Sequence, residues 1–210
     1  GGFPTRMLVS VVIPAINEAV AANAALWVHA LPLYKVIAER IDSGMQRDFV
    51  SSIEPSFEVG LAVSNPVETM MAFLRHLPFM QSTFDGIFFS THIVGSLFVN
   101  CLDKRNTVLL QRLFACLVDS AVRDMVDQSS LLASVVPGVC KEACKNSDKG
   151  VKVHALYLLS FLMPRLAHEY VAANILPSLR YITDTDKDPE VSMVVVGIYS
   201  QMSDTLGMEY

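Results

Sequence analysis

Four cysteines, five histidines and one acidic turn are the side chains here whose types could support chemistry. Cys140 and Cys144 stand four residues apart, so a helix would put both on one face. With His154 or His168 they could in principle hold zinc, but structural zinc sites place paired ligands closer together, on turns. Small buried cysteines are the favoured reading. His29, His76, His92, His154 and His168 have no Ser–Asp or Cys partner at a readable spacing, which leaves them packing or edge roles. His92, inside an apolar run, must find a hydrogen-bond partner. Asp184, Asp186, Asp188 and Glu190 suggest a calcium loop but lack the glycine and the spaced terminal glutamate of an EF-hand. Helix capping fits them better, with Asp188 as the N-cap and Glu190 favoured by the helix dipole. Asp148 and Lys152 are placed to pair at i,i+4. Kinase chemistry would need a Gly-rich loop, a strand lysine, a catalytic-loop aspartate and a metal-binding aspartate, and none of these motifs is present. The expectation is a non-enzyme with no catalytic residue, cofactor or metal.

The elements that carry these residues read as helices throughout. Of the 210 residues, 52% are hydrophobic and 18% charged, with a mean hydropathy of +0.40. Such a chain either enters a membrane or buries its helices on more than one face. A span needs about 20 nearly uninterrupted apolar residues. The best run, Gly86 to Val99, is too short and holds Ser90, Thr91, His92 and Ser96. No transmembrane segment is therefore expected, and stacked helices are. The net charge of -5, with no basic stripe, argues against nucleic acid. There is no secretory signal, and four scattered cysteines make no disulfide framework, so a reducing cytoplasmic setting is expected. Gly1-Gly2 is set aside as a cloning scar, leaving one fragment over 3–210 whose ends do not read as polar caps.

In chain order, the first helix runs from Thr5 to about Ala22 with Pro14 inside it. An Ala-rich helix follows from Asn23 through Trp27 and Pro32 towards Ile41, then a loop at Asp42-Ser43-Gly44. Asp48 could cap a helix to about Ala62 containing Pro55. Asn65-Pro66 reads as an N-cap amide with proline at N1, opening a helix that Leu77-Pro78 ends. Ser82 or Thr83 should start the next helix, and Asp103 to Asn106 should turn the chain into another. Further breaks fall near Asp127, at Ser147 to Gly150, at Ala167-His168 and at Asp184 to Asp188, with Leu206-Gly207 ending the pattern. Leu159 should be core.

A repeat underlies this order. Prolines inside alternate helices, Pro14, Pro55, Pro137 and Pro177, are 41, 82 and 40 residues apart. The doubled interval holds an intermediate unit, IFFSTHIVGSL, in which His92 lies near the expected proline position. A period of about 40 residues suits HEAT or armadillo helix pairs. One pair cannot bury both its apolar faces, whereas stacked pairs form a continuous core. The expected fold is all-α, an α-solenoid of about five helix pairs; an irregular helical bundle is the alternative. In such arrays the second helices line a concave binding face. Arg75, Arg112, Lys152 and Arg165 fall on those helices and form the candidate partner surface, weighed against a simple solvated edge.

The order of MLVSVVIPAI, NAALWVHALPLYKVIAERI, VETMMAFLRHL, VKVHALYLLSFL, NILPSL and PEVSMVVVGIY resembles the HEAT-repeat region of the SCY1-like pseudokinases, on their coated-vesicle-associated side. The resemblance covers Phe3 to Tyr210, with Lys152 standing where HEAT units usually carry arginine. It implies a right-handed superhelix that follows a kinase-like domain absent from this chain. It also implies a non-catalytic scaffold in traffic between Golgi, endosomes and plasma membrane. Clathrin or its adaptors would be the protein partners, with peripheral membrane association only through them. A HEAT-type adaptor in nuclear transport or in kinase or phosphatase regulation is the alternative that the solenoid physics allows equally.

Overall fold

In a computed structural model describing residues 5–61 and 65–207, every regular element is helical and no strand occurs among the described residues. The helices are α1 Thr5–Ala22 and α2 Ala24–Ala38, α3 Gln46–Gly60, α4 Val67–Arg75, α5 Leu77–Thr83, α6 Gly86–Lys104 and α7 Thr107–Val118. There follow α8 Ser120–Arg123, α9 at 128–145, α10 at 149–165, α11 at 168–185 and α12 Pro189–Leu206. All-α is therefore correct, and five long helix pairs follow one another along the chain.

The pairs keep a strict register. Asp85, Asp127 and Ala167 stand immediately before α6, α9 and α11, at intervals of 42 and 40 residues. Pro66, Asn106, Asp148 and Asp188 stand before α4, α7, α10 and α12, at intervals of 40, 42 and 40. Carboxylates do most of the capping. Asp85 accepts from the Ile87 and Phe88 amides, Asp127 from Ser130, Asp148 from Val151 and Asp188 from Glu190 and Val191. Each satisfies donors that the first helical turn leaves without partners.

The internal prolines are accommodated by a shared device. Widened i→i+5 turns occupy Leu8–Val12, Leu131–Val135 and Val171–Ile175, each ending two residues before Pro14, Pro137 or Pro177. Widening moves the preceding carbonyls off the pyrrolidine ring, so the helix continues where proline would otherwise break it. A fourth widened turn, Phe89–Gly95, has the same six-residue offset from its start to Gly95. The proline-equivalent position of this unit is thus Gly95, three residues beyond His92. Pro55 departs from the rule and lies in an unwidened helix.

Several expected helix starts are corrected. Asn65 is no N-cap: its amide is buried and donates to Gly60 O, and Pro66 occupies the cap position. Ser82 and Thr83 end α5 rather than start α6, their hydroxyls donating back to Phe79 O at 2.9 and 2.7 Å. Leu77-Pro78 opens a helix instead of closing one. Asp48 lies in the first turn of α3, whose amide at Met45 is held by Asp42. Ala62, the expected end of α3, lies outside the described residues; the described helix ends at Gly60.

The chain divides into two compact units, within α7, between Leu109 and Leu110. In the first unit α1 packs on α3, and α2 on α4, which also meets the end of α6. Its core is aromatic: Trp27, Tyr34, Phe49, Phe57, Phe73, Phe89 and Phe98 are all fully buried. Gly60 is required there, because a Cβ would lie 2.4 Å from the Trp27 indole. The carbonyls of Gly60 and Leu61, at the buried end of α3, receive the amides of Asn65 and Asn100. In the second unit α9 packs along α10 and α11, and α12 lies against α10 and α11. Two hairpins are thereby stacked, α9 and α11 in one layer and α10 and α12 in the other. Leu156, Leu158, Leu159, Val136, Val139 and Leu179 fill the space between them, each fully buried.

Candidate interaction surface

The four cations proposed as a partner surface have different roles in the structure. Arg75, at the end of α4 in the first unit, and Arg112, on α7 in the second, are exposed. Neither holds an ion pair among the described residues. Arg165 is spent on the fold, its guanidinium donating to Arg123 O and, at 2.6 Å, to Val126 O. Those carbonyls belong to the turn between α8 and α9, so Arg165 ties the end of α10 to the chain 40 residues earlier. Lys152 is also engaged. Its Nζ lies 2.5 Å from Asp186 Oδ2, with the two side chains 19% and 12% exposed.

The i,i+4 pair expected between Asp148 and Lys152 is absent. Asp148 Oδ1 instead accepts from the Val151 amide at 2.8 Å and from Gln111 Nε2 at 3.1 Å. With that carboxylate occupied locally, Lys152 reaches one repeat forward. Asp186 also accepts from the Asp188 amide at 3.0 Å. The Lys152 ammonium, then this amide, hold the Asp186 carboxyl below the usual carboxylate range. A carboxyl depressed in the folded state contributes stability above its unfolded pKa, about 3.9, and loses it as pH falls through the folded value. Asp186→Asn should therefore lower the urea midpoint at pH 7 and leave a smaller difference from wild type near pH 2. An equal difference at both pH values would refute the assignment.

The remaining carboxylates of the acidic turn diverge. Asp188 caps α12, Glu190 lies 2.8 Å from Lys149 Nζ, and Asp184 O accepts from Lys187. No three His, Cys, Asp or Glu side chains converge on a metal-sized site among the described residues. Cys140 and Cys144 share a face, as their spacing requires, and that face meets α11: their sulfurs lie 4.0 and 3.6 Å from Asn174 O and Ser178 O. Burial pushes the Cys140 thiol up to about 11 and raises Cys144 too. Both stay protonated at neutral pH, which makes them poor nucleophiles and poor metal ligands. His154 Nδ1 donates to Gly150 O at 2.7 Å in its own helix, away from the cysteines' contacts. His92 is exposed rather than buried, stacks on Phe88 with ring centroids 5.0 Å apart and approaches Glu58 at 3.7 Å.

Apolar surface is the feature that the charged-residue reading missed. On the second unit, Met193 and Val196 of α12 are 72% and 65% exposed, and Tyr157, Phe161 and Tyr181 are about half exposed. An open groove of about 510 Å³ runs between α10 and α12, lined by Tyr157, Ser160, Met193, Gly197, Ile198 and Gln201. A Cβ on Gly197 would meet nothing within 4 Å. Two helices, α1 and α6, have the length and hydropathy that a membrane span requires. The run from Gly86, expected to be too short, continues to Lys104 and makes 19 residues. Half of its apolar window is buried against the rest of the first unit, as in a core helix.

Comparison of the chain with known protein families, characterised proteins and solved structures returned no match.

Proposed function

We propose that the chain is a non-catalytic protein-interaction scaffold, built as a HEAT-type α-solenoid and serving clathrin- and adaptor-dependent vesicle traffic in the manner of the SCY1-like pseudokinases. The repeating register of helix starts carries this reading: four second helices open at intervals of 40, 42 and 40 residues. Hairpins in register, stacked as in the second unit, are the units from which solenoids and their extended binding faces are built. The trafficking setting rests on the order of sequence segments shared with that family. Its site would be cytoplasmic, on Golgi, endosomal or coated-vesicle membranes, reached through protein partners.

Of the four cations first assigned to the binding face, Arg75 and Arg112 are the ones to test. Reversing Lys152 would set a carboxylate beside Asp186 and perturb the fold. Arg75→Glu with Arg112→Glu should weaken capture of purified clathrin and adaptor complexes by the full chain several-fold, with the melting temperature unchanged. Capture that is absent in wild type, or undiminished in the variant, would sink the respective halves of the proposal: the trafficking partner, or the basic face.

A further inference from the structure

The repeat gives an internal control for which surfaces of the second unit are meant to be covered. Aligning Asp188 with Asp148 sets α12 on α10 at an offset of 40 residues. Val151 and Val191, Ala155 and Val195, Leu158 and Ile198, and Leu162 and Met202 are then buried in both helices. One strip differs. Val153 and Leu156 are 7% and 0% exposed, while their counterparts Met193 and Val196 are 72% and 65% exposed. Helix α10 has α9 beside it and α12 on its far side. Helix α12 has α11 beside it and α10 behind it, with no helix among the described residues on its far side. The Met193–Val196 strip is thus the counterpart of the strip that α12 itself covers on α10.

The other layer does not share this character. On α9, Cys140, Ala143 and Cys144 face α11. Their counterparts on α11 are Arg180, Thr183 and Asp184, all exposed. A further hairpin packed in the same way would desolvate Arg180 and Asp184 at considerable cost. The apolar part of this face is one helix wide, and its flanks are charged. Between residues 168 and 206 there are six acidic side chains against two basic ones. Lys149 and Lys152 offset part of that charge and leave the hairpin acidic.

We infer that the outer face of α12, centred on Met193 and Val196, docks a basic amphipathic helix of a partner protein. Its apolar stripe lies on the strip that α12 offers, and its lysines or arginines meet the acidic flanks. This rests on the scaffold reading and names one of its binding faces.

The test uses the full chain and a labelled helical peptide with leucines on one face and lysines along both flanks. A twin peptide carries glutamates in place of the lysines. Fluorescence anisotropy should show the lysine peptide binding roughly tenfold or more tighter than its twin, and loosening as salt rises. Met193→Glu with Val196→Glu should remove roughly tenfold or more of that affinity. Both positions are exposed, so circular dichroism should be unchanged. A control, Val59→Glu with Ile87→Glu, introduces the same charge at exposed apolar sites of the first unit and should leave binding intact. Equal binding of the two peptides, or binding that survives the Met193/Val196 change, overturns the inference. So does self-association in sedimentation, or binding to phosphatidylserine vesicles, if that change abolishes it; the face would then belong to a second copy or to a membrane. The clathrin and adaptor capture with Arg75 and Arg112 variants is independent, so loss of this docking site alone leaves the scaffold reading standing.

Discussion

Phe57→Ala should destabilise the first unit by about 3–5 kcal/mol, at the upper end for a single core truncation. Phe57 is fully buried and lies at the centre of a ring cluster. Its centroid is 4.9 Å from those of Trp27 and Phe84 and 5.8 Å from those of Tyr34 and Phe73. Removing the ring loses its transfer free energy and several edge-to-face contacts, and opens a cavity. That cavity cannot close easily. Trp27 is held from another side by Gly60, where no Cβ fits, and Tyr34 by its hydroxyl, which donates to Asn17 at 2.6 Å. Trp27 is the only tryptophan in the chain, so its emission reports this environment without labelling. Urea titrations followed at Trp27 should show an earlier midpoint in Phe57→Ala, and Phe57→Leu should recover most of the loss. A midpoint shift worth less than about 1 kcal/mol would mean that the cluster relaxes around the missing ring.

The fold class was legible because helix starts here are mostly written in local chemistry. Asp127, Asp148 and Asp188 sit where a carboxylate before an apolar run should sit, and each caps its helix. The failures occurred where one side chain had two local options. The hydroxyls of Ser82 and Thr83 could have capped α6, but they bond back to Phe79 O while Asp85 supplies the cap. Asn65 has the chemistry of a cap, but the buried carbonyl of Gly60 needs a donor more than the start of α4 needs an acceptor. The recurrence of proline was readable, whereas its accommodation was not. The widened turns before Pro14, Pro137 and Pro177 depend on carbonyl placement, and Gly95 preserves the register without the residue that announces it.

The candidate site was less legible than the fold, for a physical reason. Charge at a helix position says nothing about where the next repeat places its own charges. Lys152 pairs across 34 residues with Asp186, and Arg165 reaches back to Arg123 and Val126, so two of four candidate contacts serve the stack. The apolar strip was hidden by the opposite ambiguity. Val153 and Met193, or Leu156 and Val196, look alike in a hydrophobic pattern, and only the presence or absence of a covering helix separates them.

That same comparison sets the second large expectation. Leu159→Ala should cost about 2–5 kcal/mol, in the upper half of that range. Leu159 is fully buried, as are Leu156 and Leu158, while Leu162 is 2% exposed. Helix α10 is held by α9 on one side and α12 on another, so neither neighbour can move into the void without leaving its own contacts. Its counterpart one repeat later, Tyr199, is partly exposed, which marks how much of the burial at Leu159 comes from the helix that follows. The measurement is hydrogen exchange resolved along the chain, combined with urea unfolding followed by circular dichroism. Amides of 149–165 and of α12 should lose protection together in Leu159→Ala, while Val196→Ala, at an exposed position, should stay within about 0.5 kcal/mol of wild type. If Leu159→Ala and Val196→Ala cost the same, α10 is not the buried middle helix of its layer, and the assignment of the Met193–Val196 strip by analogy with α10 falls with it.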